Sequence, residues 1–292
     1  MRTRGRAMID GTRVVDAHQH FWDLDAGYDW LGPEYGPINR SFGVDDVEPL
    51  AAAAGVDDVV LVQADDTLAD TEAMIAIADA WPRVAGIVGW APLADDVALP
   101  PVLDWFAGDS RLVGVRHLMH TEADPDWVVH ADVGRGLGAL EEAGLSFDLV
   151  PVLPRHLEHV PTLAERYPEL TLVIDHLAKP PIADGEFTVW SELIAVAAKY
   201  PNVSAKISGL DTAAGPDRYT AAEIGPYVEH ALAHFGPSRL MFGSDWPVNV
   251  LAEGYAAWWS TVNEILAGLS ADERGLVLGG TATAIYKLGA SS

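Results

Sequence analysis

Eight short apolar runs, each followed by a stretch with helical spacing, constrain the fold of this chain more than any other feature. Gly or Pro ends several of the helix-like stretches, as in EEAGLSF and KYPNVS. Strands that alternate with helices are typical of a parallel sheet. The predicted strands are Thr12–Ala17, Asp58–Gln63, Val84–Trp90, Leu112–His117, Ser146–Val150, Leu170–Asp175, Asn202–Ile207 and Arg239–Phe242. The predicted helices are Asp70–Ala80, Asp132–Ala143, Leu157–Tyr167, Trp190–Lys199 and Ala221–Phe235.

This repetition predicts one α/β domain, a closed (β/α)8 TIM barrel over residues 12–292, with its active site at the C-terminal ends of the strands. The alternative is an open doubly wound sheet. We disfavour it because no Gly-rich phosphate-binding loop follows an early strand. Residues 1–11 are predicted to form a flexible N-terminus. Residues 24–42 are rich in aromatic residues, Gly and Pro, and this long segment is predicted to cap the barrel mouth.

Charge and cysteine content narrow the functional classes. The net charge of −25 should repel nucleic acid and anionic membranes, so neither is expected as a partner. The chain has no cysteine, which excludes disulfides and thiolate metal sites. No apolar stretch reaches the roughly 18 residues of a membrane span. We therefore expect a cytoplasmic protein that acts on a small molecule, and homo-oligomerisation stays open.

The motif VVDAHQHFWD places His18 and His20 at the end of the first predicted strand, on one face of it. Asp245 follows the last strand in LMFGSDWPV, and His176 follows the sixth. In a closed barrel these four side chains converge on one mouth. Imidazoles and a carboxylate without thiols suit one divalent ion such as Zn²⁺, with Asp245 accepting a proton from water. Without metal, the same histidines could polarise a carbonyl directly.

The chain resembles the amidohydrolase superfamily in five motifs: VDAHQH, GVRHLMH, LVIDHLAKPPI, NVSAKISGL and MFGSDWPV. They are most similar to amidohydrolase family 2, in the sugar-lactonase branch of L-fuconolactonases, L-rhamnonolactonases and pyrone-dicarboxylate lactonases. The resemblance implies a (β/α)8 barrel that hydrolyses a cyclic ester, with His18, His20 and His176 around the carbonyl and Asp245 activating water. It further implies that Arg116, His117 and Lys179 handle the substrate or developing charge.

The chain departs from the binuclear members of that superfamily. Arg116 and His117 stand at the end of the fourth strand, where a carbamylated lysine would bridge two metals. The fifth strand ends without a histidine. One metal ion or none is therefore expected, since some relatives work without metal.

Aromatic side chains near the strand ends favour a neutral sugar ring over a dicarboxylate. The candidate aromatic contacts are Trp22, Trp30, Trp90 and Trp246, and His156 is a further candidate substrate contact. The candidate cations at the mouth are Arg116, Arg155, Lys179 and Lys206. A buried, paired structural role is the alternative for Lys206.

The predicted function is the opening of an L-fucono- or L-rhamnono-type aldonolactone to the hydroxy acid. A metal-dependent decarboxylase and a dicarboxylate-lactone hydrolase of the same superfamily are the alternatives. A non-catalytic sugar-binding barrel is a third hypothesis from another functional class.

Overall fold

A parallel barrel forms the centre of the computed structural model, which describes residues 13–215 and 219–289. The eight strands follow one another around the sheet in chain order, and each pairs in parallel with the next. This confirms the predicted (β/α)8 architecture. The predicted flexible residues 1–11 lie outside the described part of the chain. The strands are β1 (Val15–Gln19), β2 (Asp58–Val62), β3 (Val84–Gly89), β4 (Leu112–His117), β5 (Ser146–Leu149), β6 (Leu172–Ile174), β7 (Val203–Ile207) and β8 (Leu240–Phe242).

Backbone hydrogen bonds between β1 and the segment after β8 close the barrel. The N–H of Asp245 donates to the carbonyl of His18 at 2.9 Å, and the N–H of His20 donates to the carbonyl of Trp246 at 2.7 Å. These bonds lie at the C-terminal end of β1. Closure of the barrel therefore brings the first and last strands together at the end of the barrel where the active site is predicted.

Helices follow the strands, and several begin with side-chain caps. Before α9 (Ala221–Phe235), Thr220 forms a reciprocal capping box with Glu223, which satisfies backbone N–H groups at the helix start. Glycines in the left-handed conformation end α1 (Val44–Ala54) and α4 (Ala131–Ala143). The helices are α1 (Val44–Ala54), α2 (Leu68–Ala80), α3 (Leu99–Phe106), α4 (Ala131–Ala143), α5 (Pro154–Glu158), α6 (Val160–Arg166), α7 (Thr188–Ala197), α8 (Leu210–Ala213), α9 (Ala221–Phe235), α10 (Tyr255–Ile265), α11 (Ala271–Gly275) and α12 (Thr281–Ile285).

The helix predicted over Leu157–Tyr167 is two shorter helices, α5 and α6, which meet at His159. Pro161 lies in the first turn of α6, where its missing N–H is tolerated. The same proline could not continue an uninterrupted helix from α5. Helix α1 lies in a segment for which no helix is predicted, and it contains Pro49.

Two apolar layers hold the barrel. The larger layer lies between the strands and the surrounding helices. A second cluster joins Val60 of β2 to Val173 of β6, which are strands on opposite sides of the barrel, and so fills the interior. Tyr286, after α12, packs into this cluster. The C-terminal segment thus helps to fill the barrel.

The segment at residues 24–42 carries aromatic side chains against the barrel mouth. Trp22 packs edge-to-face on Trp30 and Phe42, and Phe42 packs on Trp246. The hydroxyl of Tyr28 donates to Asp70 of α2 at 2.6 Å. These contacts hold the segment beside the strand ends, and its function as a cap stays a prediction.

In the described ranges, no helix combines the length and the apolarity needed to cross a bilayer. The predicted cytoplasmic location and the oligomeric state stay untested.

Candidate active site

Three histidines and one aspartate form a buried cluster at the C-terminal end of the barrel. The Nε2 atoms of His18 and His20 lie 3.0 Å apart. Asp245 Oδ1 lies 3.4 Å from Nε2 of His20, 3.6 Å from Nε2 of His18 and 3.9 Å from Nε2 of His176. The structure therefore brings the four predicted catalytic residues together around one carboxylate.

Hydrogen bonds to β1 fix the loop that carries Asp245. The carboxylate of Asp16 accepts a hydrogen bond from the N–H of Ser244 at 2.7 Å and another from the hydroxyl of Tyr255 at 2.9 Å. Asp245 itself adopts a left-handed backbone conformation, with φ of 57°. These hydrogen bonds thus hold the loop in place although the backbone conformation of Asp245 is unfavourable.

A left-handed turn after β6 presents His176 and Lys179. Four consecutive non-glycine residues, His176 to Lys179, have φ between 47° and 61°. Such a conformation costs roughly 1–2 kcal/mol per residue and is rarely adopted in runs. Trp190 Nε1 donates to the carbonyl of Leu177 at 2.6 Å, and the N–H of Lys179 donates to the carbonyl of His176 at 2.8 Å. The strained turn is retained because it directs the side chains of His176 and Lys179 toward the same space.

Hydrogen bonds assign the tautomer of one histidine. His20 Nδ1 lies 2.7 Å from the carbonyl oxygen of Val62, which can only accept, so Nδ1 carries the proton. The neutral ring therefore has its lone pair on Nε2, the atom that faces the cluster. His176 Nδ1 lies 2.9 Å from the hydroxyl of Ser208, which orients its ring.

Burial keeps the histidines neutral, and the surrounding imidazoles keep the aspartate ionised. Burial lowers the pKa of His18 well below its usual value, against the opposing charge of Asp175. It also lowers the pKa of His20, and it lowers that of His176 to about 4. Burial alone would raise the pKa of Asp245, but His176, His20 and His18 outweigh it and hold that pKa below the ordinary range. Near pH 7 the cluster therefore offers imidazole lone pairs and a carboxylate.

An ionic cluster lies directly behind His18. Lys206 Nζ lies 2.6 Å from Asp148 Oδ2, 3.0 Å from Asp175 Oδ1 and 3.1 Å from His18 Nδ1. Arg116 Nη1 donates to Asp175 Oδ2 at 3.0 Å. All five side chains are buried, so each charge depends on its partners.

The two groups that face His18 Nδ1 accommodate either tautomer of the ring. Lys206 donates to Nδ1 when that nitrogen has the lone pair, whereas Asp175 Oδ1, 3.4 Å away, accepts when Nδ1 carries the proton. In the second case Nε2 has the lone pair, and it accepts a hydrogen bond from Arg116 Nη1 at 3.2 Å. A histidine whose far nitrogen faces a carboxylate is the usual arrangement around a bound metal.

The cluster fits one divalent ion. One ligand atom from each of His18, His176 and Asp245 lies within 4.8 Å of the others. Asp245 Oδ2 is buried and has no hydrogen-bond partner, so it has a lone pair to offer. Imidazole and carboxylate donors without thiolate suit zinc in a hydrolytic site.

A cavity of about 610 Å³ lies above the cluster. Its floor includes His20, His176, Asp245 and Arg116, and Lys179 joins them from the turn after β6. Trp22, Trp30, Tyr35 and Ile38 contribute an aromatic and apolar part of its lining. The predicted catalytic residues thus open onto a space of the size that binds small molecules.

Several residues predicted to contact substrate lie away from this cavity wall. His117 stacks on Trp127 with ring centroids 4.0 Å apart and accepts a hydrogen bond from Trp90 Nε1 at 3.3 Å. Trp246 is buried against Phe21. These contacts, and the buried His156 of α5, give the residues packing roles in this structure, and their predicted substrate contacts stay untested.

Two of the four candidate cations at the mouth, Arg155 and Lys206, do not line the cavity. Arg155 forms a surface ion pair with Asp126 at 2.6 Å. Lys206 is the buried, paired lysine that the alternative interpretation describes. Arg116 and Lys179 line the cavity.

Asp65 and Asp66, which are not among the predicted site residues, line the cavity shortly after β2. A signal was present in the sequence, because only Ala64 separates the pair from the end of the predicted strand Asp58–Gln63. His120 and Thr121 line the wall after β4.

Asp211 is a buried carboxyl close to this site, and its stability effect is testable. Burial, and next the charge of Asp245, raise its pKa to about 7. The folded protein therefore binds this proton more tightly than the unfolded chain does, and the free energy of unfolding falls as pH rises from about 4 to about 7. We expect Asp211→Asn to raise the melting temperature over wild type by more at pH 8 than at pH 5. The exposed Asp45→Asn serves as control, and an equal difference at both pH values would contradict the expectation.

A parallel barrel with imidazoles and a carboxylate at the ends of its strands is typical of hydrolytic enzymes that activate water. Comparison with known families agrees: the amidohydrolase family model matches residues 15–288. The chain belongs to the amidohydrolase family, as the motif resemblance indicated.

Characterised relatives match almost the whole chain. It is 39% identical over 280 residues to an L-fucono-1,5-lactonase of Burkholderia ambifaria, covering 94% of this chain and 95% of that one. It is 35% identical to an L-fucono-1,5-lactonase of Burkholderia multivorans, covering 95% and 97%. A crystal structure of a Burkholderia multivorans amidohydrolase with bound zinc superposes with a TM-score of 0.88 at 34% identity, covering 95% and 100%.

Proposed function

We propose that this protein hydrolyses a sugar aldonolactone, of the L-fucono or L-rhamnono type, to the hydroxy acid. The observation that carries the proposal is the buried Asp245 carboxylate at the floor of a cavity. Its Oδ1 lies 3.4–3.9 Å from three neutral imidazoles, and its Oδ2 has no hydrogen-bond partner. The identity to L-fucono-1,5-lactonases over nearly the full chain supports the sugar class.

One divalent ion, most simply zinc, would be held by His18, His20, His176 and Asp245. The donor set and the bound zinc of the Burkholderia multivorans amidohydrolase support this choice. Such an ion would supply Lewis acidity that polarises a carbonyl and lowers the pKa of water. That contribution matters because a carboxylate whose pKa is depressed is a weak base on its own.

The residues of the chain supply the remaining steps. Asp245 orients the attacking water and takes its proton on Oδ2 as the water oxygen bonds to the lactone carbonyl carbon. The ester bond to the ring oxygen then breaks, and that oxygen takes the proton back from Asp245 to become the new hydroxyl, which leaves Asp245 ionised again. Lys179, presented to the cavity by the strained turn, is placed to balance negative charge that develops on these oxygens.

The dicarboxylate-lactone alternative predicts several free arginines in the cavity. Among residues 13–215 and 219–289, Arg116 is the arginine that lines it, and Asp175 and the carbonyl oxygen of Gln63 already bind its guanidinium. The cavity is instead covered by aromatic side chains, which suit a neutral ring.

The proposal is tested by proton release from a panel of aldonolactones, with and without a metal chelator. We expect turnover of L-fucono- or L-rhamnono-type lactones, and loss of rate in chelator that added zinc restores. Full activity in chelator would remove the metal from the proposal. Release of carbon dioxide from an aromatic acid, with no lactone turnover, would instead support the decarboxylase alternative.

Gly209 offers a second test of the site geometry. A Cβ at this position would lie 2.7 Å from His176 Nδ1 and 2.9 Å from Asp245 Oδ2, on a backbone with φ of 60°. We expect Gly209→Ala to lower kcat by about 10²-fold, since small displacements of catalytic groups have effects of this size. Gly144 has the same left-handed conformation, with φ of 68° and ψ of 25° against 60° and 16° at Gly209, and a Cβ there would meet Lys287 Nζ at an ordinary 3.5 Å, so Gly144→Ala is the matched control for backbone strain. Equal kcat values for the two variants would contradict this geometry.

A further inference from the structure

The cavity wall differs in polarity from one side to the other. Asp65 and Asp66 after β2 contribute carboxylates, and His120 and Thr121 after β4 add polar groups to the same wall. The segments after β5 and β8 contribute apolar side chains, among them Val150, Val152, Val248 and Leu251. A ring that enters this cavity therefore meets hydrogen-bond acceptors along one edge and aliphatic carbon along another.

Asp66 is fixed rigidly in the polar wall. Its Oδ1 accepts hydrogen bonds from Gln63 Nε2 at 2.8 Å and from the N–H of Leu118 at 3.1 Å. Burial is the largest influence on its pKa and raises it, with His117 opposing. The Oδ2 of Asp66 lies 3.3 Å from the backbone nitrogen of Leu118 and 3.7 Å from His117 Nε2, so the carboxylate links the loops after β2 and β4 at the cavity wall.

Asp65 is positioned more loosely. Local groups engage its carboxylate, namely the N–H of Asp66 and the side chain of Thr67, and burial again raises its pKa. A carboxylate has about four acceptor sites, so these contacts leave capacity for further donors. Because the group is partly removed from water, a second negative charge placed against it would be strongly disfavoured.

We propose that Asp65 and Asp66 are specificity-determining residues that accept hydrogen bonds from substrate hydroxyls and reject lactones bearing a carboxylate at that edge. The inference rests on the proposed lactonase function and deepens it, because it states which lactones the cavity selects. Hydroxyl groups donate to carboxylates, whereas a ring carboxylate would meet two like charges. Of the two cavity cations in the described part of the chain, Arg116 is already bound by Asp175 and by the carbonyl oxygen of Gln63, and Lys179 lies after β6, beside the catalytic cluster.

The test compares Asp65→Asn, Asp66→Asn and the double variant with wild type. Asn keeps the shape of each side chain and an oxygen acceptor, so the contacts of Asp66 to Gln63 and Leu118 can persist. Asp45→Asn, an exposed change in α1, matches the loss of one negative charge away from the cavity. The kcat/KM is measured for a neutral aldonolactone, for a lactone of the same ring size bearing a carboxylate, and for unsubstituted δ-valerolactone.

We expect each cavity variant to raise the ratio of carboxylate-lactone to neutral-lactone kcat/KM by about tenfold or more, and the double variant to raise it further. The kcat/KM for δ-valerolactone, which has no hydroxyls, should change less than about twofold. Unchanged ratios in all three variants, with wild-type turnover of the neutral lactone, would overturn the inference and leave the lactonase function standing. A parallel loss on all three substrates would assign the two aspartates a structural role and would also overturn it.

A binding measurement separates this inference from the lactonase function itself. The dissociation constants of a neutral sugar lactam and of its carboxylate-bearing counterpart are measured by calorimetry, since lactams bind without rapid hydrolysis. We expect wild type to prefer the neutral lactam and Asp65→Asn to reduce that preference. Equal preferences in wild type and variant would reject the inference even where no lactone is turned over.

Discussion

Asp245→Asn is expected to lower kcat for lactone hydrolysis by about 10²–10⁴-fold. The amide keeps the size of the side chain but cannot take a proton from water at neutral pH. It also removes the one anionic group that His18, His20 and His176 surround. Initial rates of proton release, with the uncatalysed rate subtracted, measure the effect.

The same variant distinguishes an enzyme from a sugar-binding barrel. The circular dichroism spectrum should remain that of wild type, because the backbone N–H of residue 245 still donates to the carbonyl of His18. A loss of structure would show that the carboxylate supports the fold instead. Unaltered kcat in a folded variant would remove Asp245 from the mechanism.

Lys206→Met is expected to destabilise the fold by about 3–5 kcal/mol, the range found when one partner of a buried ion pair is removed. The ammonium lies between Asp148 and Asp175, and all three side chains are fully buried. Met fills a similar volume, but it leaves both carboxylates with less compensation. Denaturant unfolding measures the change in the free energy of unfolding.

Two further variants test this explanation. Lys206→Met combined with Asp148→Asn should recover part of the loss, because one of the unpaired charges is removed together with the lysine. Lys199→Met changes an exposed lysine after α7 and should leave stability nearly unchanged. Equal stability of Lys206→Met and Lys199→Met would contradict the proposed ionic support beneath His18.

The sequence was sufficient for the architecture and for the centre of the site. Short apolar runs and helical patterns are local, and eight such units in order leave few alternatives to a barrel. Once the barrel is inferred, His18, His20, His176 and Asp245 must converge, because each follows or ends a strand.

What the sequence could not supply depends on contacts between distant elements. Lys206 is at a strand position open to two interpretations until Asp148 and Asp175 are seen to flank it. His117 ends β4 as predicted, yet its ring stacks on Trp127 and does not line the cavity, so its predicted substrate contact stays untested. Side-chain direction near a strand end is decided by such partners rather than by spacing.

The cavity wall was the least predictable part. Loops set its shape, and loop side chains have no periodicity to indicate which way they face. The sequence shows that Asp65 comes soon after β2, but its place on the cavity wall depends on the path of the chain toward α2.

Asp245 is tested most directly by proton release from L-fucono-1,5-lactone, measured for wild type and for Asp245→Asn under identical conditions and corrected for spontaneous hydrolysis. We expect catalysed release by wild type and a rate near background for the variant. Release by wild type no faster than background would contradict the proposed lactonase function, and equal release by the two proteins would contradict the proposed role of Asp245.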